Sequence, residues 1–151
     1  MRFAGIVIVG ALILLLSPLL IGVWAVHGLY GLALSIGWWL RHGRRGQDFL
    51  VVYSNSPKWS DFFSEDVLPV VSGRAIVVDI SKQPSRKASR SLERRSHRYW
   101  GGRVEHTPLV IHFRHIGRVT QVRFYEAALQ AKRGEPSPLR EQLAKLQALT
   151  T

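Results

Sequence analysis

The sequence predicts an α/β protein: an N-terminal transmembrane or bent membrane helix, followed by one small domain with the element order βαβαββα. Three observations lead there. Residues 3–40 contain no Asp, Glu, Lys or Arg; short runs rich in Val, Ile and aromatic residues then alternate with segments of helical periodicity; and Ser, Pro and Gly cluster at the joints. A chain of 151 residues has room for one membrane element and one compact domain.

The apolar run comes first. A cleavable leader has an apolar core of roughly 7–15 residues, and this run is far longer, so residues 1–42 read as a retained anchor. As one straight helix its 38 residues would reach about 57 Å, against a hydrocarbon core of about 30 Å. A bend is therefore expected, at Ser17-Pro18 or at Gly28 and Gly31. Two arrangements meet this demand. One is a span over about residues 3–26 followed by an interfacial helix with Tyr30, Trp38 and Trp39 at headgroup level. The other is a hairpin that enters and leaves on the same side. Arg41, Arg44 and Arg45 follow the run, with only Arg2 ahead of it, and this asymmetry assigns the C-terminal part to the cytoplasmic side of the membrane.

Residues 43–47, with Gly43 and Gly46 around two arginines, read as a linker, and residues 48–151 as the domain. Phe49–Tyr53 has the composition of a buried strand. Ser56 and Pro57 then suit the N-cap and first position of a helix, in which Trp59, Phe62, Phe63, Val67 and Val70 recur at helical spacing. Arg74–Ile80 reads as a second strand, and Pro84–Trp100 as a second helix closed by Gly101-Gly102. Pro108–Phe113 reads as a third strand. His115–Gly117 turns the chain into a fourth, Arg118–Tyr125, and Pro136 and Pro138 introduce a last helix with Leu139, Leu143, Leu146 and Leu149 on one stripe. The βαβ crossover makes the first two strands parallel, and the tight turn makes the last two antiparallel.

This order resembles the thioredoxin fold. A Ser/Pro-containing turn between the first strand and the first helix adds to the likeness. So does Thr107-Pro108 before the third strand, where that family carries a cis-proline. The family's Cys-x-x-Cys would fall near Ser54–Trp59, and this chain has no cysteine at all. What the resemblance implies is a scaffold and a contact groove lined by Ser54, Asn55, Ser56, Thr107 and Pro108, without thiol redox activity. Cysteine-based metal sites and thiolate catalysis are excluded as well.

All ten Asp and Glu and all but one of the 21 Lys and Arg follow residue 40. The densest block is the second helix and the residues just after it, where Arg86, Lys87, Arg90, Arg94, Arg95, Arg98 and Arg103 face a single acid, Glu93. On one continuous helix Arg86, Arg90, Arg94 and Arg98 form a ladder of like charges, each pair costing roughly 0.2–0.5 kcal/mol without an anionic neighbour. Beside a membrane the nearest anions are lipid headgroups. An acidic protein is the next candidate, and Tyr99 and Trp100 make no stacking platform for single-stranded nucleic acid. No histidine is placed beside Ser56 to activate it. His112 and His115 fall on opposite faces of a strand and do not share a metal, although Asp79 could meet one of them. Glu65-Asp66 and the Ser-Pro break give a faint likeness to monotopic phosphoglycosyl transferases, with the acidic dyad in reversed order.

The chain therefore reads as a non-catalytic, membrane-anchored interaction or accessory subunit without a cofactor, its basic surface facing anionic lipid or an acidic protein partner. Two other readings stay open: a membrane-associated enzyme acting on an anionic, possibly lipid-linked substrate, and a nucleic-acid tether.

Overall fold

The computed structural model describes residues 2–54, 60–81, 85–102 and 107–151, with the side chains of residues 2–16, 60, 86 and 87 left aside. The chain forms two compact units, Met1–Ala33 and Leu34–Thr151.

Helix α1 runs unbroken over Arg2–Arg41 and carries Pro18 in its interior. The expected bend at Ser17-Pro18 or at the glycines does not break it; leucine-rich flanks of high helix propensity continue the helix on both sides. The described segment Ser17–Arg45 is long and apolar enough to cross a membrane. The expected boundary at residue 42 moves. Leu34, Ser35, Trp38 and His42 fall on one helix face and are all buried in the second unit, so the last turns of α1 are core. The expected linker is an ordered 3₁₀ turn, Gly43–Arg45, closed by Gly46 in the left-handed region, where Gly46 N–H donates to Gly43 O.

The second unit is built on a four-stranded sheet of order β2-β1-β3-β4, with β1 Phe49–Tyr53, β2 Ala75–Asp79, β3 Leu109–His115 and β4 Arg118–Arg123. β1 is parallel to β2 and β3 antiparallel to β4, as the sequence predicts, and β1 runs antiparallel to β3. Alternation along these strands makes two cores. Phe49, Val51, Val110 and Val122 pack with Phe63, Val67, Val71, Phe124 and Leu146; Leu50, Val52, Leu109, Ile111 and Phe113 pack with Trp38, flanked by Leu92 and Trp100.

The helices differ from expectation in three places. The first, α2, spans Ser60–Phe62, a π-helical Phe63–Val67 and Leu68–Val71. Pro69 has no N–H to return to Glu65 and crowds that carbonyl; the turn before it widens, with Leu68 N–H donating to Phe63 O. The second helix is two pieces, α3 Arg86–Ser89 and α4 Leu92–Gly101. Ser91 is extended between them, and its hydroxyl accepts from Arg94 N–H at 3.3 Å, which starts a new helix with Glu93 in the first turn. Third, a helix the sequence reading left out, α5 Tyr125–Lys132, precedes the expected last helix, α6 Ser137–Thr150.

Trp38 marks the largest departure. Expected at headgroup level, it is fully buried, stacked on Phe113 at 4.3 Å and donating from Nε1 to Gln47 O at 3.1 Å. Its neighbour Trp39 remains 41% exposed. Trp38→Ala is expected to cost about 3–5 kcal/mol and Trp39→Ala about 1 kcal/mol or less, measured by denaturant titration of the full chain in detergent. Equal losses would contradict the burial of Trp38.

Candidate functional site

The expected groove lies at the end of the sheet where β1 and β2 finish and β3 begins. The register sets Val52 opposite Leu109, which carries Ser54 to the same end as Thr107 and Pro108. The Thr107–Pro108 bond is cis and Thr107 is buried. Ser54 Oγ lies 3.4 Å from Ser81 Oγ, and Ser81 N–H donates to Asp79 Oδ1 at 2.8 Å. Asn55 and Ser56 lie outside the described residues. The described part of this end thus gathers the hydroxyls of Ser54 and Ser81 and the carboxylate of Asp79. No described histidine is bonded to Ser54.

The basic helix is rearranged. With α3 and α4 separate, Arg86, Arg90, Arg94 and Arg98 do not form one ladder. Arg94 donates from Nη2 to Asp79 O at 3.0 Å, tying α4 to the end of β2, and Arg98 donates to Ser89 O, bridging the break. These two arginines serve the fold. Arg90 and Arg95 are exposed; the side chains of Arg86 and Lys87, and Arg103 as a whole, lie outside the described residues. Of the expected membrane-interface residues, Tyr30, Trp39, Arg41, Arg44 and Arg45 are exposed, and Arg44 stands over the Trp39 ring at 5.3 Å.

Two partly buried polar clusters are not evident from the sequence. In the first, His42, 7% exposed, donates from Nε2 to Glu93 Oε1 at 2.8 Å, with Arg41 Nε 3.9 Å from the same oxygen. Burial pushes the Glu93 carboxyl up, but its own N–H, the Ser91 hydroxyl and His42 together hold it below the usual carboxylate value. This pair locks the end of α1 to the start of α4.

The second cluster sits at the opposite end of the sheet from the groove. Arg74 grips Asp48 with two hydrogen bonds, at 3.1 and 2.5 Å, and donates from Nη1 to Thr150 O at 2.8 Å. His112 donates from Nε2 to Asp48 Oδ2 at 3.2 Å and stacks on Phe49 at 4.3 Å. An Asp–His contact suggests catalysis, but here the carboxylate is engaged by Arg74 and the arginine holds the end of α6, so the cluster fastens three strands and the C-terminal helix. Of the histidines for which Asp79 is a possible partner by sequence, His112 pairs with Asp48. One signal could have found the cluster: Asp48 and Arg74 stand just before two strands predicted to be parallel, so opposite charges meet in register. Among the described residues no group of three metal-ligating side chains occurs.

No protein-family model matches this chain, and no curated protein or solved structure is found similar to it.

Burial lowers the His112 pKa, with Arg74 and Arg114 adding to the effect and Asp48 opposing it. As pH falls, the unfolded chain, with histidine near 6.5, takes up this proton before the folded one does. The contribution is therefore complete above about pH 6.5 and lost as pH falls below it. Thermal melting between pH 7.5 and 5.5 should show a fall in midpoint that is shallower in His112→Gln. Parallel slopes would remove His112 as its source.

Proposed function

We propose that this chain is a membrane-anchored, non-catalytic accessory protein. Its α/β domain is thioredoxin-like in topology and without redox cysteines, and it holds a cationic surface against anionic headgroups or an acidic partner on the cytoplasmic side. The observation that carries this reading is the burial of Leu34, Ser35, Trp38 and His42 inside the second unit. The last turns of α1 are thereby a structural part of the domain.

Charge supports the lipid-facing role. The protein carries a formal net charge of +11, and each basic side chain near an anionic surface contributes about 1 kcal/mol. Arg41, Arg44 and Arg45 follow the apolar run and are exposed, as are Arg90 and Arg95. The parallel β1–β2 pair and the antiparallel β3–β4 pair support the thioredoxin-like topology. Cysteine is absent, so the chemistry of that family has no reagent in this chain.

Protease protection tests the reading. With the full chain in vesicles, tryptic cleavage after Arg90 and Arg95 should be slower when the lipid is anionic than when it is neutral. The difference should vanish near 1 M salt, where the screening length is about 3 Å. Equal rates in both lipids at low salt would defeat the lipid-facing reading.

A further inference from the structure

β3 and β4 are joined by a two-residue turn, Ile116-Gly117, closed by the pairing of His115 with Arg118. Gly117 has φ +79°, a left-handed conformation that glycine adopts without penalty, so the turn accounts for it. The turn does not account for Ile116. Turn apices favour Gly, Pro, Asn, Asp and Ser, yet this apex is a β-branched apolar residue left 49% exposed. Its neighbours Arg114, His115 and Arg118 are exposed too, and the hairpin Leu109–Arg123 contains no acidic residue. The tip is thus one apolar side chain between two cations.

Its position is set by a partly buried hydrogen bond. Gly117 N–H donates to Ser35 Oγ at 2.9 Å, and Ser35 is 2% exposed. Ser35 lies on the last turns of α1, which also expose Ile36, Trp39 and Leu40. The helix therefore holds an apolar tip with basic flanks beside its own exposed apolar and aromatic residues. Charge complementarity and continuity with the apolar helix select the same occupant, an anionic lipid surface.

We propose that the Ile116 tip inserts into the headgroup layer of an anionic bilayer, with Arg114 and Arg118 pairing with lipid phosphates. This contact rests on the lipid-facing reading of the domain but uses a different surface from Arg90 and Arg95. Because the chain has no cysteine, Ile116→Cys in the full protein accepts one polarity-sensitive thiol label. In vesicles of phosphatidylcholine and phosphatidylglycerol, the label should shift to the blue and be quenched by a lipid-borne quencher, unlike the same label at Glu141→Cys, exposed on α6. Adding Arg114→Gln and Arg118→Gln should reduce the shift. A label as open to iodide as that at Glu141 overturns the proposal. Shielding from both iodide and the lipid-borne quencher overturns it too, because a protein then covers the tip. Tryptic protection at Arg90 and Arg95 separates the failures: if it persists while the Ile116 label stays aqueous, insertion alone fails, and if both are lost the lipid-facing reading falls as well.

Discussion

Trp38 closes the second core of the α/β unit. An aromatic side chain of this size buries on the order of 150–250 Å², which at about 25 cal/mol per Å² is roughly 4–6 kcal/mol of transfer free energy. That is comparable with the whole net stability of a small domain. The indole N–H would be costly to bury unpaired, and Gln47 O accepts it just before β1 begins. One side chain therefore joins the end of α1, the entry to β1 and the neighbouring strand β3 through Phe113. A helix end that carries this much of the core cannot leave without exposing it.

The charge clusters reinforce the same closure from the polar side. A partly buried polar or charged group left without its partner carries a desolvation cost. The His42–Glu93 hydrogen bond and the Asp48–Arg74–His112 cluster therefore act mainly to make wrong arrangements expensive. The first requires α4 to start against the end of α1; the second requires β1, β2, β3 and the end of α6 to arrive in one register. The His42 and His112 Nδ1 atoms are buried without a hydrogen-bond partner. Each ring thus makes a single polar contact, consistent with a packing role.

Much of this architecture was legible in the residues because its signals are local. Phe49–Tyr53, the β3–β4 turn at Gly117 and the leucine stripe of α6 follow from composition and period alone. What escaped depends on competition between signals. The uncharged stretch to Leu40 reads as membrane throughout, because Leu and Trp have the same hydropathy in lipid and in a protein core; only the partner Phe113, 75 residues away in sequence, separates Trp38 from Trp39. The Arg86–Arg98 ladder assumed one helix, and Ser91, with Glu93 two residues on, is a start signal inside it. α5 was readable from Glu126–Lys132, all strong helix formers, with Gly134 at φ +98° after it; its neighbour β4 drew the boundary too far. At the candidate groove, the meeting of Ser54 with Thr107 and Pro108 follows from strand pairing, which topology supplied.

Sorting the arginines by what they touch sharpens the meaning of the protein's charge. Arg74, Arg94 and Arg98 spend their donors on Asp48, Thr150, Asp79 and Ser89, so their positive charge is part of the scaffold. Arg41, Arg44, Arg45, Arg90, Arg95, Arg114 and Arg118 are exposed. A stripe counted on a helical wheel merges these two groups and overstates the density of one face. The structure instead places Arg41, Arg44, Arg45, Arg90, Arg95, Arg114 and Arg118 around the end of α1, the start of α4 and the β3–β4 tip, the three places that Trp38, Glu93 and Ser35 bind together, while Arg123, Lys132, Arg133, Arg140 and Lys145 are exposed on or beside β4, α5 and α6. A surface assembled from three elements by buried contacts is presented as a unit only while those contacts hold, which links the arrangement of these cations directly to the stability of the core.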